Sequence, residues 1–218
     1  MAISNNNTGL RPGVCTSSTR PTSPYNGQVI YETDTKQTLV YQGSSWVMLT
    51  DADTPPGMEL IKKQAVGTSA VASVVVSSVF SSTYENYRIV LNGIQASDSD
   101  SFMIRFGSGA TTGHYSSMYY DRFDGAVTGI VRTNNTGKIY LCLNEANTQS
   151  VGVSVDITSP NLAQQTQVYG TYNGRGYAGW SGGFNNTTTQ FTGFEIHTDG
   201  NGTMTKGTIR VYGYRKSI

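Results

Sequence analysis

From Val151 to Thr158 the apolar residues Val151, Val153, Val155 and Ile157 alternate with Gly152, Ser154, Asp156 and Thr158. A period of two puts one set on each face of a strand, so this segment reads as a strand with its valine face on a core and its polar face in water. Tyr87, Ile89 and Leu91 alternate with Arg88, Val90 and Asn92 in the same way, as do Ile209, Val211 and Gly213 with Arg210, Tyr212 and Tyr214. Further runs over Met58–Val66, Val71–Phe80, Phe102–Phe106, Lys138–Leu143, Gln167–Tyr172 and Phe191–His197 bring the total between 58 and 218 to about eight or nine strands with almost no helical periodicity. Evenly spaced strands without βαβ alternation predict an all-β, jelly-roll-like antiparallel β-sandwich over 58–218. An immunoglobulin-like sandwich is the rival, but the Cys-Trp-Cys pattern of antibody domains is missing. The Gly- and Tyr-rich stretch Gly107–Thr136 reads as an elaborated loop with room for short strands, of a length that tends to carry function or contacts.

The pattern before residue 58 is different. Residues 1–24 contain few apolar side chains and the prolines Pro12, Pro21 and Pro24, which predicts an extended, loop-like anchoring arm. Gln28–Thr33, Thr38–Tyr41 and Trp46–Leu49 read as three short strands, turned by Asp34-Thr35-Lys36 and by Gln42-Gly43-Ser44-Ser45. A β-meander over 25–50 is too small to bury its own faces, so it predicts an oligomerisation module in which Tyr31, Tyr41 and Trp46 are shared between chains. Residues 51–57, with Pro55-Pro56-Gly57, read as a linker.

Composition narrows the function. Charged residues make up 13% of 218, with 15 basic against 14 acidic side chains. That is well below the roughly 25% of ordinary soluble domains, and the difference is filled by hydroxyl, amide and glycine. A net charge of +1 without basic runs argues against binding nucleic-acid phosphates. The 14 tyrosines, which suit half-buried faces and subunit contacts, point again to oligomerisation. Met1–Thr8 has neither the basic nor the apolar region of an export signal, and no run of 18 apolar residues exists for a membrane-spanning helix. Cys15 and Cys142 have no companions at metal-ligand spacing and are expected as two reduced thiols. The Asn-X-Thr triplets at Asn134, Asn185 and Asn201 are expected from composition alone.

Catalytic patterns are sparse. His114 and His197 are the only histidines and are expected to be structural; HExxH, GxSxG and P-loop patterns are missing, and no cofactor is implied. Asp121 and Asp124, flanked by aromatics, are the one carboxylate pair a glycosidase would use, against an ordinary turn with Asp121 paired to Arg122. Asp98-Ser99-Asp100 opens like a calcium loop but does not continue as one. Tyr115, Tyr119 and Tyr120, with Tyr172, Arg175, Tyr177 and Trp180, combine aromatic faces with amide and guanidinium groups. They are candidate contacts for a glycan or for a wet protein interface.

The stretch Ser18-Thr19-Arg20-Pro21-Thr22-Ser23-Pro24-Tyr25-Asn26-Gly27-Gln28-Val29-Ile30-Tyr31-Glu32-Thr33-Asp34-Thr35, followed by Val40-Tyr41-Gln42-Gly43-Ser44-Ser45-Trp46-Val47, resembles a short module of tailed-bacteriophage virion structural proteins of the fibre and appendage type. The likeness covers residues 11–48, and a less specific one, around Val79–Asn92, is to a β-sandwich that follows this module in such proteins. The resemblance implies a non-enzymatic homotrimer, assembled in a bacterial cytoplasm and carried on the virion. It assigns Arg20, Pro21, Tyr25, Gly27, Tyr31, Tyr41 and Trp46 to fold and assembly. Its expected partners are other tail, collar or capsid proteins and a host-surface glycan, with no nucleic acid and no membrane insertion. A capsid decoration protein is the alternative, and a polysaccharide depolymerase a more distant one.

Overall fold

The computed structural model describes residues 12–49, 57–67, 69–98, 100–125, 128–143, 150–174, 176–200 and 202–215. The chain divides into two compact units, between Pro56 and Gly57. Residues 1–11 of the expected arm and 51–56 of the expected linker lie outside the described residues.

The first unit is one four-stranded sheet in the order β1 (Gly13–Cys15), β2 (Val29–Glu32), β3 (Gln37–Gln42), β4 (Ser45–Met48). Strands β2, β3 and β4 form an antiparallel meander, while β1 lies parallel to β2. The described end of the loop-like arm is therefore part of the sheet. Gly43 opens the two-residue β3–β4 turn at φ 65°, a left-handed value that suits the first central position of a tight hairpin turn. Cross-strand register puts Ile30, Glu32 and Leu39 on one face, and these three are the buried side chains of the unit. Tyr41 and Trp46 lie on the same face and meet edge to face within one chain, 5.4 Å apart. The opposite face carries Val29, Tyr31, Val40 and Val47, all half-buried, with Val14 exposed.

Polar side chains hold the turns of this unit. Glu32, shut off from solvent, accepts from the Arg20 guanidinium and from the Thr35 hydroxyl at 2.8 Å. Asp34 accepts from the Ser17 amide at 3.0 Å and its hydroxyl at 2.6 Å. These bonds favour the charged carboxylates, so Arg20 first of all holds Glu32, and Ser17 holds Asp34, below the ordinary range.

The second unit is an antiparallel β-sandwich. Its strands are β5 (Met58–Ala65), β6 (Ser73–Val76), β7 (Tyr84–Ala96), β8 (Phe102–Arg105), β9 (His114–Arg122), β10 (Thr128–Thr136), β11 (Ile139–Cys142), β12 (Val151–Thr158), β13 (Thr166–Asn173), β14 (Tyr177–Asn185), β15 (Phe194–Thr198) and β16 (Met204–Arg215). One sheet runs β10-β9-β14-β13-β12-β7-β16-β5 and the other β11-β8-β15-β6. The pairs β7–β16 and β8–β15 follow one another in the chain and lie in different sheets, so a long antiparallel ribbon rolls from one sheet into the other. The other strands widen the first sheet to eight. Strand β12 coincides with the predicted Val151–Thr158, and its four apolar residues are buried as the alternation requires.

The inner faces enclose a continuous core that includes Ile89, Leu91, Ile157, Ile196 and Val211. Phe80 packs edge to face on Tyr87 at 4.7 Å, and Phe106 lies 5.4 Å from Phe191 and 6.0 Å from the stacked His114 ring. The buried Tyr87 hydroxyl is not stranded: it accepts from the Ser81 amide at 2.8 Å and donates to the Ser81 carbonyl at 2.9 Å. At one edge of the sandwich the side chains of β5 cross to β6, where Gln64 donates to the Val75 carbonyl (3.2 Å) and Lys62 to that of Ser77 (3.1 Å).

Candidate functional site

The stretch expected as a long loop contains two nine-residue strands, β9 and β10, and β14 occupies the Gly- and Trp-rich segment after Arg175. Their hydrophobic alternation is hidden because most inward positions are polar or small: His114 and Ser116 on β9, where Met118 is the apolar exception, and Ser181, Gly183 and Asn185 on β14. Strand β11 of the second sheet comes close beneath them. Ser181 donates to the Tyr140 carbonyl, the Tyr140 amide donates to the Ser116 hydroxyl at 3.4 Å, and a Cβ on Gly183 would stand 2.8 Å from Ile139.

The outward positions of the same strands are aromatic. Pairing sets Tyr115 opposite Phe184, Ser117 opposite Gly182 and Tyr119 opposite Trp180, while β13 brings Gln167 beside Phe184 and Tyr169 beside Gly182. Cross-strand neighbours on one face stand close enough for ring contact. The Tyr115 and Phe184 rings stack at 4.8 Å with 5° between planes, and Tyr119 and Trp180 lie 6.3 Å apart at 13°. Tyr169 is 65% exposed, Trp180 40% and Phe184 36%, so this is a wet aromatic face and not an extension of the core. Beside the Tyr115–Phe184 stack the glycine at 182 leaves a shallow groove of about 480 Å³, with Tyr115, Phe184, Tyr169, Gln165, Gln167 and Ser117 around it.

The predicted contact residues divide by strand parity. Tyr115, Tyr119 and Trp180 lie together on this face. Tyr172 is buried, and its hydroxyl donates to the Tyr119 carbonyl at 3.4 Å; burial pushes its phenol well above the usual tyrosine range. Tyr120 and Tyr177 meet edge to face at 5.6 Å and pack against the core, with the Arg122 guanidinium 5.5 Å from the Tyr177 ring. Arg175 lies outside the described residues. Composition does not single out Tyr169, Phe184 and Gly182; the pairing of β13 with β14 and of β14 with β9 shows that they line one groove.

In the first unit, Arg20 is the Glu32 partner, Gly27 donates to the Tyr41 carbonyl at 2.8 Å, Pro21 is half-buried and Tyr25 is 63% exposed. Tyr31 lies on the uncovered face, away from Tyr41 and Trp46.

The candidate acid and imidazole groups have hydrogen-bond partners, except that the buried His197 Nε2 has none among the described residues. The turn pairing expected for Asp121 belongs to its neighbour: Arg122 donates to Asp124 at 3.1 and 2.9 Å, and Asp121 accepts from Thr128 at 2.8 Å, because Asp121 points to the outer face of β9 where Thr128 is its cross-strand partner. Asp100 accepts from the Gly202 amide at 2.7 Å. His114 is fully buried; its Nε2 accepts from the Phe106 amide at 3.1 Å and its Nδ1 faces the Thr112 carbonyl at 3.3 Å, an arrangement that suits a neutral ring. His197 donates through Nδ1 to the Thr198 carbonyl at 3.0 Å. Burial lowers the pKa of both imidazoles. Among the described residues no three His, Cys, Asp or Glu side chains converge as a metal site, and no helix is long and apolar enough to cross a membrane. Cys15 and Cys142 are free thiols; burial pushes the Cys142 thiol up to about 12. No protein-family model matches the chain, and no curated protein matches it.

Proposed function

We propose that this chain is a non-enzymatic structural component of a tailed-phage virion, a trimeric fibre or surface appendage. In this reading its N-terminal region attaches it to the particle, and the sandwich is displayed for contact with the host surface. The reading rests on the residues that resemble the phage module, because several of them have a mechanical role in a unit that buries little of its own. Arg20 and Thr35 hold Glu32, Ser17 holds Asp34, and Gly27 and Gly43 serve the turns. The apolar face of exposed Val14 and half-buried Val29, Tyr31, Val40 and Val47 supports association through this unit, since an apolar face left partly open on a small sheet suits a contact surface. The aromatic face of the large sheet supports attachment, and threefold display would turn weak single contacts into firm adhesion.

Light scattering on the purified chain tests the assembly. Three chains per particle are expected; a folded species with the 23.5 kDa of one chain overturns it. Counting copies per virion then separates a fibre, present in small numbers, from a capsid decoration, present in hundreds. Release of reducing ends from host polysaccharide, abolished by Asp121→Asn, would replace the structural reading with a depolymerase.

A further inference from the structure

We infer that the groove over Gly182 is a binding site for an uncharged pyranose ring of a surface polysaccharide. This rests on the attachment reading and names the chemistry of its ligand.

The first support is a contrast between neighbouring glycines. At Gly183 a Cβ would strike the Tyr115 backbone and stand 2.8 Å from Ile139, so packing forbids any side chain there. At Gly182, on the outer face, the nearest atoms to a Cβ are Tyr169 Cδ2 and the Val168 carbonyl oxygen at 3.8 Å and Trp180 Cζ3 at 4.0 Å, and its φ is not in the left-handed region. Packing therefore does not require glycine at 182. Glycine inside a strand weakens it, and one that packing does not demand marks a place where something approaches the backbone closely.

The lining then selects the ligand. Tyr169 and the stacked pair Tyr115–Phe184 offer apolar ring surface, and exposed Gln165 and Gln167 with the Ser117 hydroxyl offer neutral donors and acceptors beside it. A pyranose presents C–H groups on one face and hydroxyls around its rim, so it matches both parts. Among the described residues no Asp, Glu, Lys or Arg lines the groove; one cation, the exposed Arg132, stands opposite Ser117 at its border. Bases that stack on protein aromatics bring phosphates that need a basic track beside the rings, and the single Arg132 at the border is not such a track. The volume of about 480 Å³ lies within the roughly 300–1,000 Å³ of small-ligand sites.

Saturation-transfer NMR on the full chain, with methyl glucoside, galactoside and mannoside beside methyl glucuronide and oligothymidylate, tests the assignment. At least one neutral glycoside is expected to receive saturation in preference to both charged probes. Gly182→Val, which fills the floor, and Tyr169→Ala, which removes a wall from the surface, are each expected to weaken it about tenfold. Circular dichroism confirms that the variants are folded, and Tyr169→Ala, with its side chain in solvent, serves if Gly182→Val does not fold. Transfer to no neutral glycoside, preference for a charged probe, or full binding in the folded variants overturns the site. Phage adsorption separates this from its premise. Glycoside binding with adsorption unaffected in Tyr169→Ala virions would leave the site and remove the attachment role; adsorption lost without glycoside binding would do the reverse.

Discussion

Within residues 12–49 only Ile30, Leu39 and Glu32 lose contact with water, whereas the sandwich from Gly57 closes over a core that joins both sheets, with Ile89, Leu91, Ile104, Ile157 and Val211 all below 2% exposed. Two aliphatic side chains cannot by themselves offset the ordering of the first segment. Its order comes from directional contacts instead: an Arg20–Glu32–Thr35 cluster, an Asp34 cap on Ser17 and tight turns. The sandwich can lose a polar contact and keep its fold, while the small sheet depends on a few such contacts and on whatever covers its second face. Each unit also contains one free thiol, Cys15 in the first and Cys142 in the second, so thiol labelling reads them separately.

The largest effect is expected from Phe106→Ala. It removes the ring between Phe191 and His114 and costs about 3–5 kcal/mol, read as an earlier urea midpoint for Cys142 labelling with Cys15 labelling unmoved. A joint shift of both thiols would show that the units are not energetically separate. Glu32→Ala is the converse experiment. Arg20 and Thr35 lose their acceptor, so hydrogen exchange is expected to accelerate at the Thr33 and Tyr41 amides, which bond to Cys15 and Gln28 carbonyls, and not in β12.

Acid divides the units more gently. Burial holds the folded-state pKa values of His114 and His197 below the ordinary 6.5. The neutral folded rings therefore cost nothing above that pH. Below it the unfolded chain takes up protons that the fold refuses, and stability falls. The lowered carboxylates Glu32 and Asp34 contribute fully above their unfolded values, near 4.5 and 3.8, and lose that contribution only as pH falls further. Going from about pH 7 to about pH 5.5 is thus expected to lower the Cys142 midpoint and leave the first unit unchanged, and equal loss in both would contradict the comparison. The smallest change is Gly43→Ala, where open space surrounds the position and the cost is the left-handed φ alone, about 1 kcal/mol by the amide exchange of β3 and β4.

These contrasts also explain what the sequence disclosed. Where a strand buries aliphatics on one face, as in Val151–Thr158 or Ile209–Gly213, alternation revealed both its place and its inward side. Strands β9 and β14 escaped because β11 presses closely on Ser116, Ser181 and Gly183, so that with His114 and Asn185 most of the inward positions are polar or small and the apolar half of the signal is thinned to Met118 and the tyrosines at the far end. The aromatic face was legible in residue type through Tyr115, Tyr119 and Trp180. Its groove was not, since Tyr169 is two strands away from Ser117 and meets it across Gly182 only by register. Tyr172 shows the same limit from the other side: composition cannot tell an outward tyrosine from its inward neighbour.

The bonds from Lys62 and Gln64 of β5 to the carbonyls of Ser77, just past β6, and of Val75 within it bear on how copies can meet. An open strand edge is a template for another chain, and its unpaired carbonyls are what an incoming strand would capture. Here those acceptors are already occupied from within, and two lysines, Lys62 and Lys63, stand on the neighbouring edge. Wherever copies meet at high concentration, sandwiches built this way resist zippering into a continuous sheet at that border, which leaves faces rather than edges for ordered contact.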